Sequence, residues 1–189
     1  MKKMKSSSIP ADSDSLTAVE ILKLLEDQTL SDLNNLYVIW RTRNFDLWSC
    51  NLDLYQKFGE RFLDIGEPLI AYDVVSEGLK CFTQDIRLRQ LLALSLARGG
   101  VTEQANAILL ELFNEGCHDE ETMGLLARTY KDLWMKTNLK KYLSQAIKYY
   151  KLAYQSKRGF WTGINVATLS LLQGNTKRAS AIATPCSIP

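Results

Sequence analysis

The sequence has little histidine, glycine and proline, and it lacks long apolar runs. His118 is the single histidine among 189 residues, which excludes a His-rich metal site and any His pair. Glycine and proline together number 14, well below the usual share, so collagen-like and disordered classes are excluded. No stretch approaches the roughly eighteen apolar residues of a transmembrane helix, and no apolar segment follows the lysines near the N-terminus, so a secretory signal does not fit. These absences favour a globular, helical, cytoplasmic protein with no membrane association.

The four cysteines, Cys50, Cys81, Cys117 and Cys186, are too far apart in sequence to form a zinc or redox motif. We therefore expect reduced thiols that mostly pack as small hydrophobic side chains. His118 lies between Cys117 and three acidic residues, but adjacent residues before a helix rarely converge on one ion, and Asp119 is better interpreted as a helix N-cap. The sequence thus predicts no metal and no cofactor.

Charge is distributed unevenly along the chain. Residues 131–189 carry ten Lys or Arg and one acidic residue, a net charge of +9, whereas residues 1–130 carry a net charge of −7. A basic block of this kind is typical of an anion-binding face or of a docking surface for an acidic partner. The alternative is that it balances the acidic part of the chain, within one fold or across a dimer.

A period of 34 residues runs through the sequence. Gly59, Ala93 and Ala127 are 34 residues apart, each beside large apolar residues, and further small residues such as Ala71 and Ala105 follow twelve positions later. Small residues let two helices approach closely, and this period is typical of the tetratricopeptide repeat, a helix-turn-helix unit. About seven extra residues fall within 131–145, because the next small residue after Ala127 comes 19 positions later instead of twelve.

Hydrophobic periodicity, caps and glycine turns then predict an all-α fold, a tetratricopeptide-like right-handed helical solenoid of about four helix pairs. Two amphipathic helices open at Ser15 and Ser31. A repeat domain over 15–183 follows a disordered tail at 1–14 and precedes a short tail at 184–189. The predicted repeats lie near 45–82, 87–116, 119–156 and 161–183, and the predicted helices near 45–64, 68–82, 87–98, 102–115, 119–136, 139–156, 161–173 and 175–183.

Four stretches, 66–75, 88–97, 124–134 and 161–169, together resemble one family. It is the TRAFs-binding, tetratricopeptide-containing domain that precedes the kinase in apoptosis signal-regulating kinases and occurs without the kinase in many bacterial proteins. The resemblance covers about residues 35–183, and its most specific marks are Arg128-x-x-Lys131-Asp132 and Gly163-Ile164-Asn165. The chain breaks off where the family's last helix would continue, as a truncated gene or a fragment would.

The resemblance implies binding and regulation. The kinases use this domain as a scaffold for adaptor proteins, and the bacterial relatives resemble sensor or scaffold parts of signalling systems with a proposed nucleotide-derived ligand. Kinase activity is not implied, because the sequence has no Gly-rich phosphate loop and no His-Arg-Asp segment. We expect a non-enzymatic module with a protein partner from signalling, an anionic small-molecule ligand as a second candidate, and self-association as an option.

Tetratricopeptide arrays resemble one another in binding ligands on the concave face built by the first helix of each pair. The positions that match that face predict a groove of Arg87, Gln90, Arg98, Arg128, Lys131, Asp132, Trp161 and Asn165. Guanidinium groups suit carboxylates and phosphates, and a tryptophan offers a stacking face. Each residue also has a structural alternative: ion pairs of Arg128 or Lys131 with Asp132, Glu121 or Glu120, a core position for Trp161, and a hydrogen bond from Asn165 to a neighbouring loop.

Two other functions stay open. The same groove would act on a nucleotide-like substrate with Asp132 as base, although the sequence has no Gly-x-Ser-x-Gly elbow, no Walker loop and no histidine partner for a cysteine. The basic C-terminal third interleaves lysines with tyrosines, which is typical of nucleic-acid binding. We expect nucleic acid less, because Tyr150 and its neighbours Ala146 and Ala153 occupy repeat-core positions.

Overall fold

A computed structural model describes residues 16–26 and 33–186, with side chains to residue 182. These residues form eleven helices and no strand. The helices are α1 (Ala18–Glu26), α2 (Leu33–Arg41), α3 (Phe45–Ser49), α4 (Leu52–Asp64), α5 (Pro68–Cys81), α6 (Ile86–Arg98), α7 (Thr102–Asn114), α8 (Glu120–Thr137), α9 (Lys140–Lys157), α10 (Phe160–Leu172) and α11 (Thr176–Cys186). The predicted all-α helical repeat is confirmed. The predicted tail at 1–14, the helix starts at Ser15 and Ser31, and residues 187–189 lie outside the described residues.

The predicted bounds of α5 to α10 agree with the structure to within one residue. Local signals fix these ends: Pro68 occupies the first turn of α5, and Asp119 caps α8 by accepting a hydrogen bond from the Thr122 main-chain N–H at 2.9 Å. The predicted N-cap role of Asp119 is therefore confirmed.

The single helix predicted near 45–64 is wrong, because α3 and α4 are separate. Asn51 has extended backbone angles, with φ −128° and ψ 90°. Its side-chain amide donates to the Leu47 carbonyl at 2.6 Å, and this bond to the end of α3 replaces a helical main-chain bond.

The predicted end of the last helix also needs correction. The helix continues beyond residue 183 to Cys186, so residues 184–186 of the predicted tail are helical. No glycine follows Gly174 to end the helix earlier.

The chain divides into two compact units, one up to Ser95 and one from Leu96 onward. In the first unit, α4 packs on α5 and α1 packs on α4. Its core is aromatic: Trp48 is fully buried, and its ring lies 5.2 Å from Tyr55 and 4.9 Å from Phe58, both edge-on. Such contacts between rings add stabilisation beyond that of area burial.

In the second unit, each helix from α7 to α11 packs on the next. The predicted small residues Ala105, Ala127, Ala146 and Ala153 are all buried, whereas Ala167 of the weaker fourth copy is half-buried. Helices α8 and α9 each have 18 residues, against 13 in α7 and α10. The predicted insertion thus lengthens both helices at the turn that joins α8 to α9.

The division into one repeat domain over 15–183 stays a prediction. Cys50 and Cys81 are exposed free thiols and Cys117 is a half-buried one, so the expectation of packed thiols is wrong for the first two, which lie at the ends of helices. Among the described residues, no helix is long and apolar enough to cross a membrane.

Candidate binding site on helices α8 and α10

The predicted groove residues lie on three helices. Arg87, Gln90 and Arg98 belong to α6, Arg128, Lys131 and Asp132 belong to α8, and Trp161 and Asn165 belong to α10. The structure brings together the residues of α8 and α10 within the second unit.

The α6 residues have structural contacts of their own. The Arg87 guanidinium pairs with the Glu60 carboxylate at 2.9 Å and donates to the Gln90 side-chain oxygen at 3.3 Å. Gln90 is buried, and Arg98 is exposed in the last turn of α6. Arg87 is therefore held by a carboxylate of its own unit, and a role for these three residues in ligand binding stays a prediction.

A hydrogen-bonded chain joins α8 to α10. The Lys131 ammonium donates to Asn165 Oδ1 at 3.3 Å, and Asn165 Nδ2 donates to the Trp161 carbonyl at 2.9 Å. The expected bond from Asn165 to a neighbouring loop is wrong, because its partners are a lysine one repeat earlier and its own helix. Asn165 thus fixes the position of the Lys131 charge beside the first turn of α10.

Trp161 is a surface platform rather than a core anchor. Its side chain is 51% exposed, so the core alternative is wrong. The edge of its ring lies against Gly124, where an added Cβ would be 3.1 Å from Cζ3, and its ring meets Tyr150 edge-on at 5.4 Å between centroids. The missing side chain of Gly124 leaves room for the indole on α8, and the ring of Tyr150 packs against the indole. The remaining surface of the indole faces solvent and is free to stack on a ligand.

The charges of α8 are only loosely paired. Arg128 Nε lies 4.0 Å from Asp132 Oδ2, the outer limit of an ion pair. Burial raises the pKa of Asp132, and the nearby Arg128, Lys131 and Lys136 charges offset that rise only in part. The guanidinium of Arg128 is thus positioned to accept a second anion.

Tyr150 is a polar group of this site that the sequence reasoning assigned to packing alone. The residue is fully buried, and its hydroxyl has no hydrogen-bond partner among the described residues. Burial raises the pKa of Tyr150, and the charge of the Asp132 carboxylate raises it further. In the sequence, the one signal of this group is a tyrosine, with its hydroxyl, at a repeat-core position. A buried hydroxyl without a hydrogen-bond partner destabilises the folded state.

The exposed side of α10 continues from Trp161 as an apolar row. Ile164, Leu171 and Leu172 are 43%, 55% and 60% exposed. The repeat register places all three on the side predicted to bind a ligand. The site therefore combines a cationic part on α8 with an apolar part on α10.

Helix pairs with buried small residues at a 34-residue spacing, such as Gly59, Ala93 and Ala127, define a tetratricopeptide-repeat protein. Residues 70–170 match the model of one family of such proteins, TPR-S, or Tetratricopeptide Repeats-Sensor. This match spans more than half of the chain, and the chain belongs to that family.

Solved structures share the fold at low sequence identity. MamA (41-end) from Desulfovibrio magneticus RS-1 is similar with a TM-score of 0.70 and 13% identity, over 95% of each chain. A thermophilic tetratricopeptide protein of Thermus thermophilus has a TM-score of 0.65 and 19% identity, covering 72% of this chain and 73% of that one. The human IFIT1 dimer with PPP-AAAA has a TM-score of 0.68 and 16% identity, over 89% of this chain and 40% of that one. No curated protein matches the chain in sequence.

Proposed function

We propose that this chain is a non-enzymatic interaction and sensor module that binds a ligand against α8 and α10 and thereby regulates a partner protein. The ligand is a protein segment or an anionic, nucleotide-like molecule. The family model supports a tetratricopeptide-repeat protein, and the resemblance of 66–75, 88–97, 124–134 and 161–169 to the TRAFs-binding domain supports a scaffold or sensor role in cytoplasmic signalling.

One observation carries this proposal: the Lys131–Asn165–Trp161 chain of hydrogen bonds that joins α8 to α10. It holds the Lys131 ammonium, which lies 6.0 Å from the centroid of the Tyr150 ring, and Tyr150 in turn packs on the half-exposed ring of Trp161. Asn is a poor residue for a helix interior, and its bond to Lys131 contributes little stability near the surface. The arrangement is better explained by positioning of the ammonium group and the indole for a ligand.

The chemistry of the site limits the ligand class. Arg128 and Lys131 provide two cations, and Arg128 has only a long contact to Asp132. Carboxylates and phosphates suit these groups, whereas the Trp161 face and the apolar row of α10 suit a ring or apolar side chains. A nucleotide-like ligand would use the cations and the indole, and an acidic protein segment would in addition cover Ile164 and Leu171.

Catalysis is not part of the proposal. The single histidine, His118, packs its ring on Phe113 at 4.4 Å between centroids, and its Nε2 contacts the Phe113 carbonyl at 3.0 Å. It belongs to the turn before α8 and not to the Lys131–Trp161 site. Among the described residues, the contact of Asp132 is with Arg128, which cannot relay a proton, so binding accounts for the site better than general-base chemistry.

The proposal is tested by thermal unfolding with nucleotides, ADP-ribose and acidic peptides, on the wild type and on the double variant Arg128→Ala, Lys131→Ala. A ligand that binds the folded state raises the melting temperature by mass action. We expect a rise with at least one compound that the double variant loses. The control is Lys80→Ala with Lys177→Ala, which removes the same charge from two exposed positions outside α8, α9 and α10 and should retain the rise. An equal rise in the Arg128→Ala, Lys131→Ala variant, or no rise with any compound at millimolar concentration, would contradict the proposed site.

A further inference from the structure

The exposed side of α9 is a row of cations, which we name the basic ridge. It consists of Lys140, Lys141, Lys148, Lys151 and Arg158, all exposed. At about 100° per residue, these five lie within roughly a third of the circumference of the helix. None of them forms an ion pair within the described part of the chain. The sequence after Asp132 also contains no acidic residue that would neutralise them.

The basic ridge is unfavourable for α9 itself. Lys140 and Lys141 occupy the first turn, which carries no acidic residue and no side-chain cap. Cations at this end oppose the helix dipole, and like charges one or two turns apart repel each other. Lys141, Lys148 and Arg158 each contact a tyrosine ring of α9, at 4.8 to 5.7 Å from the ring centroid. No carboxylate of the described residues pairs with the ridge, so the ridge is better explained by an anionic surface that covers it.

A surface with matching charge lies between α1 and α4, which we name the acidic cleft. It is a cavity of about 360 Å³ whose lining includes Leu22, Leu25, Glu26, Asp53 and Asp64. Two further charged residues of the lining, Lys57 and Glu60, are already in ion pairs within the first unit. Glu60 pairs with Lys57 at 3.2 Å and with Arg87 at 2.9 Å.

Three carboxylates of the cleft are available to a partner. Glu26, Asp53 and Asp64 are exposed, and none of them forms an ion pair with another described residue. Arg61 is the one cation of the lining that is not in a described ion pair. The unpaired charge of the cleft is therefore negative.

We propose that the basic ridge of one copy docks along the acidic cleft of a second copy. Asp53 and Asp64 are eleven residues apart on α4, as are Lys140 and Lys151 on α9. Both spacings correspond to about 16 Å along a helix axis, so the two lysines of one copy form ion pairs with the two aspartates of the other at the same time. A helix ridge fits a cleft in shape, and Leu22 and Leu25 contact the methylene stems of the lysines while their ammonium groups reach the carboxylates.

The contact joins two different surfaces, so it is heterologous. Each copy retains a free ridge or cleft, and the assembly extends into a ring or a filament. It does not use the Lys131–Trp161 site and does not depend on the ligand proposed there. Because the interface is mostly charged, association is weak and is screened by salt.

Other polyanions fit the ridge less well. Single-stranded nucleic acid stacks its bases on exposed aromatic rings, but Tyr149 and Tyr154 of α9 are buried. The five ridge positions include no apolar side chain that would insert into a lipid surface. Neither alternative explains the three carboxylates of the cleft.

The test is sedimentation velocity of the full chain at 50 mM and 500 mM salt, with two charge-reversal variants. The ridge variant is Lys140→Glu with Lys151→Glu, and the cleft variant is Asp53→Lys with Asp64→Lys. We expect the wild type to associate at low salt and to dissociate at high salt, each variant alone to stay monomeric, and an equimolar mixture of the two variants to associate again. Circular dichroism verifies that each variant is folded. Lys80→Glu with Lys177→Glu, two exposed cations outside the ridge, is the matched control and should associate as the wild type does.

Three results would overturn the proposal. The first is a wild type that is monomeric at low salt up to a concentration of hundreds of micromolar. The second is a mixture of the two folded variants that stays monomeric. The third is ridge-dependent binding of an oligonucleotide or of phosphatidylserine vesicles by a wild type that does not self-associate, which would assign the ridge to another partner.

Discussion

Gly78 lies at a close approach of α4 and α5, and its replacement by alanine tests the repeat packing. A Cβ at this position would lie 2.8 Å from both Cβ and Cγ of Tyr55 and 3.1 Å from Cδ1 of Leu88. The two Tyr55 atoms are at the stem of a fully buried side chain whose hydroxyl donates to Glu77 at 3.2 Å. A change of rotamer does not move Cβ, and the packing around the fully buried ring leaves Cγ no other position, so α4 and α5 must separate.

The expected magnitude combines two opposing terms. Overpacking of a buried contact costs about 1–3 kcal/mol, and the rigid stem of Tyr55 places Gly78→Ala near the upper end of that range. Alanine is a better helix former than glycine by about 1 kcal/mol. We expect a net loss of about 2 kcal/mol in the free energy of unfolding, or about 4–8 °C in melting temperature for a chain of this size.

The assay is hydrogen exchange by mass spectrometry across a urea series. It is read on peptides of α4 and α5 for Gly78→Ala and on peptides of α8 and α10 for the control, because each set of peptides reports on one unit. The matched control is Gly124→Ala, also within a helix, where the nearest atom is the Trp161 ring edge at 3.1 Å. That half-exposed ring moves readily, so the control should be neutral or gain up to about 1 kcal/mol. A Gly78→Ala variant as stable as the wild type would refute the close approach.

Three further substitutions have defined outcomes. Tyr150→Phe removes a buried hydroxyl without a described partner and should raise the unfolding free energy by about 1 kcal/mol in urea melts; an unchanged or lower value would contradict the missing partner. Asp132 has a raised pKa in the folded chain, so ionisation of its carboxyl opposes folding. Asp132→Asn should therefore be more stable than the wild type at pH 7. Thermal melts should show this difference vanish well below pH 3.8, the ordinary pKa of an aspartate, where the carboxyl is protonated in both states. Asn106→Ala removes a buried 2.9 Å hydrogen bond to Thr129 and should cost about 1–2 kcal/mol in urea melts; an unchanged midpoint would contradict its contribution.

The helices could be predicted from the sequence because their ends depend on nearby residues. Gly66 and Gly174 stop a helix through their own backbone conformation, with φ of 88° and 86°. A small residue that recurs every 34 residues, such as Ala127, indicates that two helices approach closely at that position of each repeat. The break at Asn51 was missed because it depends on a side-chain bond to Leu47 that competes with an otherwise continuous amphipathic pattern.

The site was less predictable, because its properties depend on contacts between repeats. Residue types and repeat register placed Lys131, Trp161 and Asn165 on one side. They did not indicate that Gly124 leaves room for the indole, which makes Trp161 a surface platform. They also did not indicate that the Tyr150 hydroxyl lacks a partner, since that depends on where α8 and α10 lie around it.

The central claim is that a ligand binds at α8 and α10, and ¹⁹F NMR of the chain labelled with 5-fluorotryptophan tests it most directly. The four tryptophans give four resonances, which single Trp→Phe variants assign. Titration with the compound that raises the melting temperature should shift the Trp161 resonance and leave those of Trp40 and Trp48, in the first unit, unchanged. An unchanged Trp161 resonance at saturation, with shifts at Trp40 or Trp48, would contradict the account and place the ligand elsewhere.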